Sequence, residues 1–318
     1  MANEPKHSTK EKEEEKRYHP ESTNGSEKGK SKSTRIEVMK TYKLFIDGKF
    51  PRTESGRFTV VKDAAGDSLA SICSASRKDF REAVVAARKA QPGWAAKSAF
   101  NRGQILYRIA EVLEGRKAQF ISELMQMGAS QSQAESEVTV SVDRLVYYAG
   151  WSDKFMQVFS SVNPVESSHF NFSMPEPTGV VTVLSPQDYG LLGLISILAP
   201  AITGGNTVVA LASEKRPLSA ITFGEVLHTS DVPGGVVNIL TGNRSELLTH
   251  FSNHMDVNAC VYCGNDKEEI KAVQSNSSLN VKRAIVYTND DWTEDRAQNP
   301  YRIMDLQEIK TTWHPVGI

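Results

Sequence analysis

A short stretch in the last quarter of the chain holds the residues with the sharpest chemical potential. His250 and His254 precede Cys260 and Cys263 in the pattern His-x3-His-x5-Cys-x2-Cys, which combines ligand types that zinc accepts. The cysteines, however, lie within or just after the apolar run Ala259-Cys260-Val261-Tyr262-Cys263, and a strand sends residues three apart to opposite faces. Two thiols on opposite faces cannot share one tetrahedral ion, so no metal is expected. No basic residue adjoins them in the sequence to lower a thiol pKa, and the expected role is that of small buried hydrophobes. Ser185 lacks the glycine-flanked elbow of a serine nucleophile. Trp94, Trp151, Tyr147 and Tyr148 sit where packing explains them, and His169 has no obvious partner.

The elements that must position these residues are legible from periodicity. Tyr42 begins the structured pattern, with a short hairpin expected at Lys43-Leu44-Phe45-Ile46, the turn Asp47-Gly48, and Lys49-Phe50. Apolar residues at helical spacing predict helices from Lys78 to Gln91, stopped by Pro92-Gly93, from Phe100 to Met127, and from Gln133 to Phe159. Ser160 to Pro177 is interrupted by proline and reads as an extended arm. Beyond it, β-rich runs at 180–184, 207–211, 236–240, 257–262 and 284–287 alternate with candidate helices at 191–203, 217–229, 244–251 and 267–274. That alternation, with Gly or Pro at the junctions, predicts βαβ crossovers and an α/β fold: a three-layer, doubly wound parallel sheet. The apolar helix near Leu191 is too short, and too closely flanked by Pro186, Asp188 and Pro200, to span a bilayer.

Composition sets the outer limits. The chain has 318 residues, 39% of them hydrophobic, enough for a substantial core. With 37 basic and 38 acidic side chains there is no positive field for nucleic acid. Three cysteines in no framework spacing, and a polar start without an apolar core, make the cytoplasm the expected compartment. Residues 1–37 are almost free of apolar side chains and are expected to form a disordered charged tail. The expected organisation is this tail, a main domain over 38–302 that includes the 160–177 arm, and a C-terminal oligomerisation strand over 303–318.

The motifs of the main domain resemble, in order, those of the aldehyde dehydrogenase superfamily. Glu176-Pro177-Thr178-Gly179-Val180-Val181 resembles the E-P-x-G-V-V entry to the first strand, and Ala199-Pro200-Ala201 with Gly205-Asn206-Thr207-Val208-Val209 resembles A-P-A-L-x-x-G-N-T-V-V. Pro233 to Gly242 resembles P-x-G-V-x-N-x-x-x-G, and Asp47-Gly48-Lys49-Phe50, Ala83 to Ala90, Trp94 and Tyr147 to Trp151 also fit. The resemblance covers roughly Tyr42 to Thr288. It implies a Rossmann-like cofactor domain and oxidation of aldehydes with NAD or NADP. In that chemistry a cysteine thiolate attacks the carbonyl, an asparagine helps hold the oxyanion, and a glutamate activates water.

Set against those motifs, several positions depart. The P-W-N-F-P motif aligns with Pro186-Gln187-Asp188-Tyr189-Gly190, so Asp188 occupies the oxyanion asparagine position and, ionised, has no donor. K-P-S-E aligns with Leu211-Ala212-Ser213-Glu214, losing the lysine implied to contact the adenosine ribose. F-T-G-S-x-x-x-G, the pyrophosphate turn, aligns with Tyr262 to Glu269, where one glycine survives as Gly264 and Glu269 replaces the other. The E-L-G-G segment is matched to Ser277-Ser278-Leu279-Asn280-Val281, and about 30 residues follow Thr288 where the family has its nucleophile domain.

The resulting expectation is a pseudoenzyme that resembles the non-catalytic second half of two-domain members, inactive alone and with no catalytic residue. Ser213, Glu214, Gly264 and Asn265 are its vestigial cofactor-binding positions. No cofactor is expected, NAD or NADP being implied by the resemblance only. Leu306 to Trp313 resembles the strand that family members add to a neighbouring subunit's sheet, implying a homo-oligomer or a hetero-oligomer with a complete dehydrogenase, and neither membrane nor nucleic acid as partner. The alternatives are an NAD(P)-dependent oxidoreductase acting on aldehydes, completed by a partner chain, and a small-molecule binding module using the old dinucleotide crevice.

Overall fold

In the computed structural model, which describes residues 38–63, 65–288 and 290–317, the elements all lie in the unit that begins at Met39. A small sheet of order β1-β3-β2 opens the chain, from β1 (Thr41–Tyr42), β2 (Phe58–Lys62) and β3 (Ser68–Cys73). The expected turn is present: Asp47 and Gly48 both take positive φ, 53° and 69°, closing Ile46 onto Lys49 by two backbone hydrogen bonds of 2.9 Å. Leu44 N donates to Pro51 O at 3.1 Å in the same register, and Phe45 bridges Ile239, so the short hairpin docks on the main sheet. The expected tail at 1–37 lies outside the described residues.

Four longer helices and one short one follow, α1 (Arg77–Ala95), α2 (Ala99–Gly115), α3 (Lys117–Gln126), α4 (Gln131–Trp151) and α5 (Phe155–Phe159). Three of the expected boundaries need correction. α1 runs through Pro92, because its start is fixed by a Ser76–Asp79 capping box and its end by Trp94, whose buried indole N–H donates to Ile202 O at 2.9 Å. The proline falls in the last turn, where tertiary anchoring outweighs one lost bond. The expected 100–127 helix breaks at Arg116 (φ −108°, ψ 10°), whose side chain is held by Gln119 and Glu225. The 133–159 helix ends at Trp151, with α5 as a separate turn. The 160–177 arm folds into β4 (Ser161–Asn163) and β5 (His169–Pro177), which pair antiparallel.

The central sheet is built from β6 (Val180–Leu184), β7 (Thr207–Leu211), β8 (Val237–Leu240), β9 (Ala259–Cys263) and β10 (Arg283–Tyr287). All are parallel, in the order β10-β9-β6-β7-β8. α6 (Leu192–Thr203), α7 (Leu218–His228), α8 (Arg244–Asn253) and α9 (Lys267–Ser278) make the crossovers. Side-chain alternation divides the core. Val208, Ala210, Ala259, Val261 and Cys263 face α2–α4, α6 and α7, whereas Val209, Leu211, Cys260 and Tyr262 face α1, α8 and α9. The fold is therefore the three-layer α/β, Rossmann-like arrangement. α6 is buried along its whole length.

After β10 the chain crosses the α6 face, burying Trp292, Ala297, Ile303 and Leu306. α10 (Tyr301–Met304) fills the first part of the segment expected to be a terminal strand, and β11 (Gln307–Pro315) then completes a second small sheet of order β11-β5-β4.

Candidate functional site

Chain order makes the site. β6 is followed on one side by β7 and β8, and the chain then returns to place β9 on the other side. The loops leaving β6 and β9 therefore diverge and open a crevice at the carboxyl ends of the strands. A cleft of about 550 Å³ lies there, bounded by Pro186–Tyr189 after β6, Glu214 and Lys215 after β7, Asn243–Ser245 after β8, Gly264–Asp266 after β9, and Tyr287, Asp290 and Trp292 at β10.

A buried cation spans the crevice. Arg244, 6% exposed, donates from Nη1 to Ser185 O at 3.1 Å and from Nη2 to Cys263 O at 3.0 Å, joining the ends of β6 and β9. Its Nε lies 3.2 Å from Glu269 Oε2, and its guanidinium stacks 4.6 Å from the centre of the Tyr262 ring. Tyr262 donates to the same Glu269 oxygen at 2.8 Å, and burial followed by that bond raises its pKa.

Both helix N-termini at the cleft are occupied by carboxylates of the chain itself. Asp266 caps α9, its Oδ1 accepting from Glu268 N at 2.9 Å and Glu269 N at 3.0 Å. At α8 the Asn243 side chain accepts from Glu246 N, while Glu214 Oε1 accepts from the Arg244 backbone N–H. Five carboxylates, Asp188, Glu214, Asp266, Glu269 and Asp290, line the cleft against two cations, Lys215 and Arg244. Lys215 is itself paired with Asp188 at 2.6 Å.

Of the positions singled out in the sequence, Asp188, Glu214, Gly264 and Asn265 line the cleft, and Ser213 sits beneath it, its Oγ donating to Gln187 O at 2.7 Å. Gly264 has φ 154°, and a Cβ there would stand 3.0 Å from the Tyr262 hydroxyl. The match of Ser277–Val281 to the glutamate-bearing segment needs correction. Because β10 runs parallel to its neighbours, the residues before it lie at the amino ends of the strands, beside Thr178, Val257 and Asn258 and away from the cleft. A carboxylate there could not face the cleft. The wall beside β10 is formed instead by Tyr287, which donates to Asp305 Oδ2 at 2.6 Å, and by Asp290.

Arg244 and Asp266 were not among the expected site residues. The signals were Asn243-x-x-Glu246 and Asp266-x-x-Glu269, each a helix start with a polar cap. The cysteines are not part of the site chemistry. Cys260 and Cys263 face opposite layers, and burial pushes their thiols up to about 11 and about 12, although Arg244 does reach the Cys263 carbonyl. His254 packs edge-on against Phe80, 5.6 Å between ring centres.

Residues 50–288 match the aldehyde dehydrogenase family. Retinal dehydrogenase 2 of Gallus gallus is 32% identical over 262 residues, which are 80% of this chain and 50% of that protein. Omega-crystallin of Enteroctopus dofleini is 29% identical over 251 residues, 77% of this chain and 50% of its own length. The NAD+ complex structure of aldehyde dehydrogenase from Bacillus cereus shares the fold at a TM-score of 0.74 and 25% identity, over 78% of this chain and 51% of that one. This chain spans about half the length of the curated relatives it matches. Family motifs in order, a parallel sheet opening at its switch point and a match over most of the chain lead to one conclusion: the protein belongs to the aldehyde dehydrogenase family.

Proposed function

We propose that this chain is a non-catalytic member of the family, in which the dinucleotide cleft is lined by the chain's own carboxylates, two of which occupy the helix N-termini there, and the domain serves as a structural or regulatory subunit that pairs with itself or with a complete dehydrogenase. The observation that carries the reading is Arg244, a buried guanidinium tied to both strand ends and to Glu269 in the crevice.

The surroundings do not fit a pyrophosphate. The N–H groups that would grip it at the start of α9 already donate to Asp266, and Glu269 stands beside them. Two like charges about 4 Å apart at an effective dielectric near 20 repel by roughly 4 kcal/mol, equal to the whole affinity of a millimolar ligand. Asp188, at the oxyanion position, is a largely exposed carboxylate paired with Lys215 and presents no donor to a developing oxyanion.

The test is calorimetric titration of the purified chain with NAD+ and NADP+, together with absorbance assays for NADH and NADPH using short and long aldehydes. The expected result is no saturable heat up to about 1 mM and no reduced cofactor. Saturable binding would favour a small-molecule binding module, and reduced cofactor a working oxidoreductase; either outcome overturns the reading.

A further inference from the structure

A second cavity, of about 450 Å³, lies at the amino ends of the central strands, at the other end of the sheet from the cleft. Its walls come from the turn between α8 and β9, with Met255 and Asn258, from the turn between α9 and β10, with Asn280 and Lys282, and from Thr178 before β6. Lys282 is 8% exposed, and its Nζ donates to His254 O at 2.7 Å, in the turn that forms one of these walls. Among the described residues that is the acceptor it has, and no carboxylate forms an ion pair with it. The charged pair of the cavity, Arg283 and Glu308, is matched internally at 3.3 Å. The other titratable groups around this corner are His250, His254 and Asp256 at the end of α8, Arg81 on α1 and Cys260 on β9. An ammonium with three donors, one acceptor and no counter-charge is a costly group to bury, and burial lowers the Lys282 pKa to about 8.

We propose that Lys282 is an acylation site, whose free amine takes a short acyl group from a thioester entering this cavity. The nitrogen lone pair adds to the thioester carbonyl carbon, the C–S bond breaks, and the departing thiolate takes up the proton lost from nitrogen. The product suits the site better than the amine does. An amide has no charge and a single N–H, and His254 O is already in place to accept it. An aldehyde fits less well, because a neutral imine has no N–H for that carbonyl and a protonated one restores the buried charge. Thr178 Oγ1, a buried hydroxyl without a partner, is available to donate to the acyl oxygen, and the exposed side chains of Met255 and Val281 flank the cavity where an acyl chain would pack. At pH 7 about one molecule in ten carries the free amine, against about one in three thousand for an ordinary lysine. A less basic amine is also a weaker nucleophile, as with thiols, which returns part of that gain.

The test uses the folded full chain and the acetyl thioester of N-acetylcysteamine, with peptide mass spectrometry following the initial rate of acetylation at each lysine. Near neutral pH, Lys282 is expected to react at least tenfold faster than Lys89 of α1 and Lys271 of α9, which are exposed. In concentrated urea, where the cavity is lost, the three are expected to react at similar rates. Across a pH series the Lys282 rate is expected to level off above about 8, while those of Lys89 and Lys271 continue to climb. Acetylation of Lys282 no faster than of the two exposed lysines, a lead that survives unfolding, or a Lys282 rate still climbing through pH 10 would each overturn the proposal.

Discussion

Arg244 and Glu269 meet at the switch point of the sheet, Nε to Oε2 at 3.2 Å, with the Tyr262 hydroxyl on the same carboxylate oxygen. The guanidinium is nearly buried, so its charge is tolerable only while Glu269 and the two strand-end carbonyls remain. Glu269→Gln is expected to destabilise the fold by about 2–3 kcal/mol, and Arg244→Met with Glu269→Gln by less than the sum of the two single changes. Urea denaturation of the four proteins measures the coupling. Strict additivity would show that the pair is not an energetic unit.

On the proposed reading, the carboxylates at the start of α9 keep anions out of the cleft. Asp266→Ala with Glu269→Gly removes two carboxylates and restores a glycine in the first turn of α9, leaving N–H groups free to meet a phosphate. NAD+ affinity is expected to rise at least tenfold, about 1.4 kcal/mol, over the unsubstituted chain, read by calorimetry. No change would mean that the cleft excludes the dinucleotide by shape rather than by charge.

α6 begins without a capping side chain of its own, and Glu137 supplies one from α4. Its Oε1 accepts from Leu191 N at 2.8 Å and Leu192 N at 3.1 Å, while Oε2 lies 4.0 Å from Arg216. Glu137→Ala strands two buried N–H groups and is expected to cost about 3 kcal/mol in urea denaturation, and Glu137→Gln clearly less. Burial raises the Glu137 pKa against the bonds that lower it. Its contribution is therefore complete below the ordinary carboxylate range and declines as pH rises through the raised value. Glu137→Gln is expected to remove that slope.

Lys282 gives the opposite slope. Burial lowers its pKa from 10.5 to about 8, and its Nζ donates to His254 O at 2.7 Å. Between about 8 and 10.5 the unfolded chain binds more protons at this site than the folded one, so stability rises with pH across that window. Relative to Lys282→Met, the unsubstituted protein is expected to gain about 1 kcal/mol from pH 7.5 to pH 10, by chemical denaturation at both values. A parallel pair of stability curves would contradict this.

What the sequence could and could not reveal follows from range. Val180–Leu184 and Thr207–Leu211 are runs of aliphatic residues and threonine, each preceded within two residues by a glycine, and local information suffices to identify them as buried parallel strands. The end of α1 depends on Trp94 reaching Ile202, and the break at Arg116 on its contact with Glu225, both more than a hundred residues distant. The candidate site divides the same way. Gly264 and Asp188 are legible because motifs mark them. Arg244 looks like an ordinary first residue of a helix until the sheet brings Ser185 and Cys263 to either side of it. The misplacement of Ser277–Val281 arose from counting along the chain, which does not tell which end of a strand a residue occupies.

Val281 carries a strain that no motif announces. It has φ +54°, a conformation suited to glycine or asparagine, with a β-branched side chain that is 94% exposed and contributes little packing in return. The left-handed region costs an L-residue roughly 1–2 kcal/mol, while glycine returns about 0.5–1 kcal/mol as extra freedom in the unfolded chain. Val281→Gly is therefore expected to stabilise the protein by about 0.5–1 kcal/mol, and Val281→Asn by a similar amount. The gain should appear mainly as a higher urea midpoint with an unchanged slope, since neither substitution alters the surface exposed on unfolding. A lower midpoint for both variants would place the turn between α9 and β10 in a different conformation in solution.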